Sequence, residues 1–450
     1  MLFLSADTGG GHRASAESLA KQFLIHYPGS TYDLLDVWTA DGVFPYRTLV
    51  SAYKHLSAHP RQWRFLYHLS NSRPWELGMD WHSTFMCEKR IRRRIASYNP
   101  DVIVSVHPAM NNAPRIAAHK LARAVGKHIP FFTVVTDLGS GHATWFQNKV
   151  DRLYVASERL RRLAKRRGRT PDDRLVMTGL PIRHDFDVVA QSLGDRTSEE
   201  GKKYVKQMKQ QLGVDTEKAM VLVMGGGEGV GSLAQIVDEL YASFSKQGVD
   251  ATICVVCGRN EKLKKRLAER DWQKVLQGEH KPKRRLSRLF RRRRSREIEA
   301  SLERSAEHEN DPHPVGKVTV VGLGFVENMA EHMAAADLLI SKAGPGTIAE
   351  AAAVGLPVML TSFLPGQEAG NVDYVLEKGF GDYNDDPVEM AKEVTAWLQD
   401  PELMNGMSHK ARAAGNPHAA ADIVLDIGSI THTWMALNGP EARSTAELII

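Results

Sequence analysis

One stretch constrains the fold more than any other. Leu338, Leu339 and Ile340 read as a short buried strand, Ala343-Gly344-Pro345-Gly346 as a tight turn, the residues from near Thr347 as a helix, and Pro357 to Leu360 as a second strand. A strand that stops at glycines and feeds a helix leaves unpaired amides and the positive end of the helix dipole aimed at one point, which suits a phosphate. Glu350 falls one turn inside that helix, and Gln367, Glu368 and Asn371 follow the next strand. The stretch reads as a seat for a nucleotide diphosphate ringed by hydroxyl-binding groups. The glycines alone fit an ordinary strand-turn-helix unit of an α/β protein equally well.

The same order of elements opens the chain: a strand from Leu2 to Ser5, the turn Gly9-Gly10-Gly11, a helix from His12 to about His26, and a strand around Tyr32 to Val37. Alternation returns with strands at Asp101 to Val106, Pro130 to Thr136 and Val150 to Ala156, and a helix at Asn112 to Val125. In the second half, strands at Ala219 to Met224, Thr252 to Cys257 and Val318 to Val321 alternate with helices. Such alternation implies two doubly wound parallel sheets, with ligands at the carboxyl ends of the strands and a cleft where the two halves face each other. A length of 450 residues also favours two domains. The expected boundaries are an N-terminal domain over 1–185, a polar linker over 186–212, a C-terminal domain over 213–415, and a crossover helix and tail over 416–450. That last helix, near Ala419 to Ile427, is expected to return to the first half, with a frayed tail after about Thr431.

The net charge of +6 comes largely from one run, Lys281 to Arg296, which holds ten Lys or Arg and no acid. It lies in a segment, 278–314, that reads as a largely disordered insert. Three cysteines, Cys87, Cys254 and Cys257, fit a reducing compartment better than a disulfide scaffold. No apolar stretch approaches the ~20 residues of a membrane span, and no signal peptide is visible ahead of the first strand. Between Asp41 and Asn99 aromatics gather, among them Trp63, Trp75 and Trp81, with Arg47, Lys54, Arg61, Arg64 and Arg73 interleaved. Rings with a basic fringe suit an anionic membrane surface; a helical hairpin with its aromatics turned inward is the alternative. No motif for reading nucleic acid accompanies the charge, so no nucleic-acid partner is expected.

Several chemistries are disfavoured by what the glycine loops lack. Neither Gly225 to Ser232 nor Gly9 to Ser15 supplies the lysine of a P-loop, and Gly225-Gly226-Gly227-Glu228-Gly229 matches a dinucleotide fingerprint poorly. No nucleophile elbow is present. Asp185-Phe186-Asp187 lies away from the loops, and the histidines show no zinc spacing, so no metal site is expected.

Specific motifs then accumulate. Asp7-Thr8-Gly9-Gly10-Gly11-His12-Arg13-Ala14-Ser15-Ala16 resembles the opening motif of the monogalactosyldiacylglycerol synthase family, the diacylglycerol beta-galactosyltransferases of glycosyltransferase family 28. Val106-His107-Pro108, Thr136-Asp137-Leu138 with His142 to Phe146, Gly179-Leu180-Pro181, Met224 to Gly229, Cys257-Gly258-Arg259-Asn260, Lys342 to Glu350 and Gly366-Gln367-Glu368-Ala369-Gly370-Asn371-Val372 resemble family motifs in the family's order. The likeness covers nearly the whole chain apart from the basic insert and the tail. The halves are more distantly similar to the lipid-linked glucosaminyltransferase of peptidoglycan synthesis, which supports a GT-B architecture of two Rossmann-like domains facing across a cleft.

The resemblance implies transfer of galactose from UDP-galactose to the sn-3 hydroxyl of 1,2-diacylglycerol with inversion, on a peripheral membrane protein of the chloroplast envelope, with no cofactor required. Gly344, Pro345, Gly346 and Thr347 would hold the diphosphate, Glu350 the ribose, backbone at Phe325 and Val326 the uracil, and Gln367, Glu368 and Asn371 the sugar. Gly227, Glu228, Gly229 and Arg259 complete the implied donor set. His12 is the first candidate base, because a neutral imidazole can take the acceptor's proton; Asp137 is the second, as base or as orienting group. Each also admits a plain structural role, at a helix start or as a helix cap. Gly10, Gly11, His107, Trp63, Trp75, Trp81 and Trp145 are the implied acceptor and membrane residues, with phosphatidic acid or phosphatidylglycerol as candidate anionic lipids. Two departures stand out: Ala143 where proline is expected before Thr144-Trp145, and a longer basic insert. The same reaction with UDP-glucose, a sugar-nucleotide epimerase and a non-catalytic UDP-sugar sensor remain as alternatives.

Overall fold

The computed structural model describes residues 1–6, 8, 11–225, 233–277, 296–307 and 314–438. Gly10, Gly227, Glu228, Gly229 and most of the basic run lie outside the described residues. The chain forms two compact units. The first holds Met1–His184, Leu364–Gly370 and the segment from His418; the second holds Asp185–Phe363 and Asn371–Pro417.

The first unit is built on six parallel strands in the order β2-β1-β3-β4-β5-β6. They are β1 (Leu2–Leu4), β2 (Asp33–Leu35), β3 (Ile103–Ser105), β4 (Phe131–Val134), β5 (Arg152–Val155) and β6 (Leu175–Met177). Alternate residues of β1 supply opposite faces: Leu2 and Leu4 enter one core, Phe3 the other. Both faces are covered, so β1, β3 and β4 are apolar without interruption apart from Ser105 and Thr133. The order reverses between β1 and β3, because β2 lies on one side of β1 and β3 to β6 continue on the other. In open parallel sheets ligands gather at the strand ends beside such a switch.

The second unit repeats the principle with β7 (Ala219–Met224), β8 (Ala251–Val256), β9 (Val318–Leu323), β10 (Leu338–Lys342), β11 (Val358–Ser362) and β12 (Gly381–Tyr383). Their order is β12-β11-β10-β7-β8-β9, all parallel, with the switch between β7 and β10. The stretch that most constrains the sequence therefore leaves the sheet beside its switch point.

The polar, helix-prone stretch expected to link the halves forms helices His184–Leu193 and Glu199–Gln211. Between them Arg196 donates to the carbonyls of Val354 (3.2 Å), Ala334 (3.2 Å) and Ala336, satisfying oxygens left over at the ends of helices Pro345–Ala353 and Met329–Ala335. Its side chain is half-buried overall while the guanidinium is enclosed, and burial pulls its pKa down to about 10. Within the basic insert, Arg296–Glu307 is a helix whose Ile298 and Ser301 are buried against the second core, so this part is folded. The last helix runs Ala419–Asn438, past the point where fraying is expected. Ile423, Val424 and Ile427 join Phe3 and Phe23 in the first core, and Asn438 exchanges hydrogen bonds of 2.8 and 2.9 Å with the backbone of His128.

Residues 41–99 resolve into helices, with Leu49–Ser57, Pro60–Ser70 and Arg73–Tyr98 the longest. Cys87, Ile91 and Ile95 turn the inner face of Arg73–Tyr98 into the core against helix Asn112–Val125. Leu77, Trp81 and Phe85, four residues apart, stay 56%, 68% and 75% exposed and share one outward face.

Replacing Arg196 by Met leaves those carbonyls without their donor, at about 1–3 kcal/mol for a buried unsatisfied group. Equilibrium urea unfolding of Arg196→Met is expected to show a loss of at least about 2 kcal/mol, with Arg196→Lys recovering part of it. Unchanged unfolding would show that solvent replaces the guanidinium.

Candidate active site

Three neighbouring strands of the first unit deliver its polar groups. β1 leads to Thr8 and to helix Gly11–His26, with His12 in its first turn; β3 leads to His107; β4 leads to Thr136 and Asp137. His12, His107, Thr136 and Asp137 are all buried. The rings of His12 and His107 meet edge to face at 4.7 Å, and the Trp145 ring lies 6.0 Å from His12.

The hydrogen bonds assign the tautomers. With the Thr136 Oγ1 proton given to the Val106 carbonyl (3.2 Å), the 2.6 Å contact with His12 Nδ1 is a bond the hydroxyl accepts, and this is the tautomer assigned to His12. His12 therefore carries its proton on Nδ1 and keeps a lone pair on Nε2. His107 has the opposite arrangement: its Nδ1 accepts from the Ala109 amide (3.2 Å), leaving Nε2 to donate to Thr8 Oγ1 at 2.7 Å. Burial holds both rings neutral. It takes His12 down to about 4, opposed by the Val106 carbonyl, and His107 well below its usual range, with His12 adding to the effect.

Asp137 moves the other way. Burial raises its carboxyl to about 7; the Trp145 indole, donating to Oδ2 at 2.7 Å, opposes this, and the charge of Glu368 adds to it. Trp145 is fully buried. It is thus a core residue that holds Asp137, and it offers no face to a membrane. Asn111 ties the loops together by donating to the carbonyls of His107 (3.2 Å), Pro108 (3.1 Å) and Thr144 (3.2 Å) while accepting from Thr133 at 2.8 Å. Neither Thr136 nor Asn111 stands out in the sequence as a positioning group. The one signal was their place directly after β4 and β3.

The segment Leu364–Gly370 packs within this unit. Ser140 donates to the Gln367 carbonyl, and Glu368 accepts from the Leu364 amide at 2.7 Å. Gly370 has to be glycine, because a Cβ there would lie 2.4 Å from the backbone of Gly139. Trp63 is half-buried between Tyr53 and Tyr67, whereas Trp75 and Trp81 are 40% and 68% exposed. Gly11, the first residue of its helix, is exposed.

In the second unit, helix Pro345–Ala353 follows β10 directly. Gly344 is its N-cap with no side-chain cap, and Pro345 brings no amide hydrogen to the first turn. A Cβ at Gly346 would meet nothing within 4 Å, while one at Gly344 would lie 3.7 Å from the Lys342 side chain and 3.8 Å from the Thr347 hydroxyl. Asn371, expected on the sugar, donates its side-chain amide to the Ala343 carbonyl at 2.9 Å and is 1% exposed; it tethers the turn. Glu350 is buried on the helix. Arg259 follows β8 and is exposed, while Phe325 (71% exposed) and Val326 follow β9. All leave the carboxyl end of one parallel sheet. Among the described residues no cluster of three or more His, Cys, Asp or Glu could hold a metal, and no helix is long and apolar enough to cross a membrane.

Comparison with known proteins agrees with this geometry. Residues 12–182 match the family described as Monogalactosyldiacylglycerol (MGDG) synthase, and residues 289–422 the Glycosyltransferase family 28 C-terminal domain. A "Probable monogalactosyldiacylglycerol synthase 2, chloroplastic" of Oryza sativa subsp. indica is 33% identical over 435 residues, covering 95% of this chain and 80% of its own length. "Monogalactosyldiacylglycerol synthase 1, chloroplastic" of Arabidopsis thaliana is 32% identical over 456 residues, covering 99% and 73%. Among solved structures, MurG of Acinetobacter baumannii aligns over 95% of this chain and 98% of its own with a TM-score of 0.53 at 16% identity, a likeness of fold. Two Rossmann-like units of this kind are the GT-B architecture. By full-length kinship and by the fold that carries it, the chain belongs to the monogalactosyldiacylglycerol synthase family.

Proposed function

We propose that this protein transfers galactose from UDP-galactose to the free hydroxyl of 1,2-diacylglycerol, inverting the anomeric carbon and releasing UDP. The observation that carries the reading is the near full-length kinship with proteins named monogalactosyldiacylglycerol synthase. The uncapped first turn at Gly344, Pro345, Gly346 and Thr347 binds the diphosphate, with Glu350 on the ribose and backbone at Phe325 and Val326 on the uracil. Arg259 and the loop holding Gly227, Glu228 and Gly229 serve the same donor. Gln367 and Glu368 take the galactose hydroxyls. As the C1–O bond to phosphate breaks, its electron pair leaves with UDP, whose charge the helix terminus stabilises.

The acceptor oxygen forms the new bond to C1 and loses its proton. His12 Nε2 is the group with a lone pair to receive it, oriented by the Thr136 hydroxyl. An imidazolium formed in a buried site gains from a carboxylate, and ionised Asp137, held by the Trp145 indole whose ring lies 6.0 Å from His12, is assigned that role.

Donor profiling tests the reaction. Vesicles containing diacylglycerol are offered UDP-galactose or UDP-glucose. Galactosyl transfer is expected to dominate, and His12→Ala to lower turnover by about 10²–10⁴ while UDP titration stays unchanged. Absence of transfer from either donor would overturn the reading; near-normal turnover of His12→Ala would remove His12 as base.

The pH profile tests Asp137. Its raised pKa leaves it neutral below pH about 7 and ionised above, so kcat/KM is expected to climb through that point. Asp137→Asn should abolish the step. A step that persists belongs to another group.

Membrane contact follows from the outer face of Arg73–Tyr98. Trp81 and Phe85 stack at 5.7 Å with planes 7° apart, and both are exposed. At the start of this helix lies a cavity of about 460 Å³ lined by Asn71, Ser72, Arg73, Glu76, Arg166, Arg167 and Arg169, where Glu76 pairs with Arg73 at 3.7 Å and the other three arginines leave the lining cationic. Stacked rings beside cationic side chains suit a bilayer containing phosphatidic acid or phosphatidylglycerol, approached from the side. The relatives' names place them in chloroplasts. In flotation with phosphatidylglycerol vesicles, Trp81→Ala/Phe85→Ala is expected to weaken binding at least about tenfold at any salt. Arg166→Ala/Arg169→Ala should remove only the salt-sensitive part. Unchanged flotation of both variants would place the membrane contact elsewhere.

A further inference from the structure

The loop that brings Trp145 to Asp137 is held from one side by the turn between two helices of the first unit. Ser70 ends helix Pro60–Ser70, and Asn71 and Ser72 lead into helix Arg73–Tyr98. Ser70 Oγ lies 3.1 Å from His142 Nε2, and Asn71 Oδ1 accepts the Ala143 amide at 2.8 Å. Arg167 Nη1 donates to both the carbonyl and the side-chain oxygen of Asn71, each at 3.0 Å. The guanidinium thereby holds Asn71 with Oδ1 toward Ala143.

The amide that Asn71 receives begins a single turn. Ala143–Trp145 is a 3-10 helix, closed by the Trp145 amide on the His142 carbonyl (3.1 Å) and the Phe146 amide on the Ala143 carbonyl (3.0 Å). So short a helix has few bonds of its own. Its direction is set from outside, by Asn71 at the first residue and by Asn111 at the Thr144 carbonyl (3.2 Å). Trp145 comes last in the turn, and its indole reaches Asp137 Oδ2 at 2.7 Å. Proline, expected at position 143, has no amide hydrogen; alanine brings one, and Asn71 takes it.

We propose that Asn71, clamped by Arg167, is a positioning residue for the transfer reaction: it holds the turn that keeps the Trp145 N–H on Asp137. This role rests on the reading of Asp137 as a carboxylate that must ionise for transfer, and it deepens that reading. A donor on a carboxylate favours the charged form, so a looser Trp145 bond raises the pH at which Asp137 ionises. The other titratable and charged groups around Asp137 are Glu368 from the segment Leu364–Gly370, Tyr53 from helix Leu49–Ser57, Tyr67 from helix Pro60–Ser70, His142 on its own loop and His12 beyond the Trp145 ring. Asn71→Ala replaces none of them and changes no charge.

The test follows kcat/KM against pH on the full chain, with UDP-galactose and diacylglycerol in vesicles. Asn71→Ala is expected to move the inflection upward by at least about half a pH unit, and Trp145→Phe by about one. In the double variant the inflection should stand where Trp145→Phe alone puts it, because Asn71 acts through the indole. Where Trp145→Phe does not fold, Asn71→Ala alone decides. An unmoved inflection in Asn71→Ala, even with a uniform fall in rate, overturns the proposal and leaves Asn71 as a tie between loops. A further upward shift on adding Asn71→Ala to Trp145→Phe overturns it too. If the wild-type protein shows no inflection near pH about 7, or Asp137→Asn keeps the step, the reading of Asp137 falls and this proposal with it. Absence of transfer at every pH would instead sink the galactosyltransferase reading and both roles that rest on it.

Discussion

The single proton of the Thr136 hydroxyl governs the site of the first unit. Because it is given to the Val106 carbonyl, the hydroxyl oxygen can only accept from His12. In that arrangement the ring carries its proton on Nδ1 and keeps its lone pair on Nε2. No charged partner is needed to hold that tautomer, since the orienting group belongs to the loop after β4 and its acceptor to the end of β3. The parallel sheet makes this possible. Neighbouring strands running the same way deliver successive loops to one edge, where a reversal of strand order leaves room between them.

Around that ring the environment favours neutral forms. His12, His107 and His142 are all held below their usual range, burial being the first cause each time, and Asp137 is held above its own. A site of this kind receives an uncharged lipid alcohol at little desolvation cost to itself. In the second unit the polarity is opposite: a helix start with no side-chain cap, beside Lys342 and the Thr347 hydroxyl, suits an anion. The two units thus differ in the charge that their loops favour: neutral groups in the first, an anion at the helix start of the second.

Much of this was legible in the residues. Short apolar runs ahead of a glycine turn, such as Leu338 to Ile340 before Gly344, located the strands and the seat, since strands covered on both faces have no polar alternation to hide them. The direction in which an aromatic side chain points was less legible. Trp145 and Trp81 look alike in sequence, yet one is sealed against Asp137 and the other lies on the surface; only the long-range packing separates them. Thr136 and Asn111 were hidden for a related reason: their value lies in hydrogen bonds to residues far along the chain. The helix Arg296–Glu307 was masked by the neighbouring charge run, although Ile298 and Leu302 already carry the spacing of a buried helical face.

The helix Ala419–Asn438 gives the molecule an order of assembly. Its Ile423, Val424 and Ile427 complete the face of the first sheet that Phe3 and Phe23 begin, and Gly428 has no room for a side chain beside Tyr27. The first unit to leave the ribosome is therefore the last to be finished. Its sheet has one apolar face covered only in part, by helix Gly11–His26, while more than two hundred residues of the second unit are made as an insertion between its parts. During that interval the nascent chain has an exposed hydrophobic surface of the sort that chaperones bind. A chain that stops short of the closing helix lacks part of the wall of its own core.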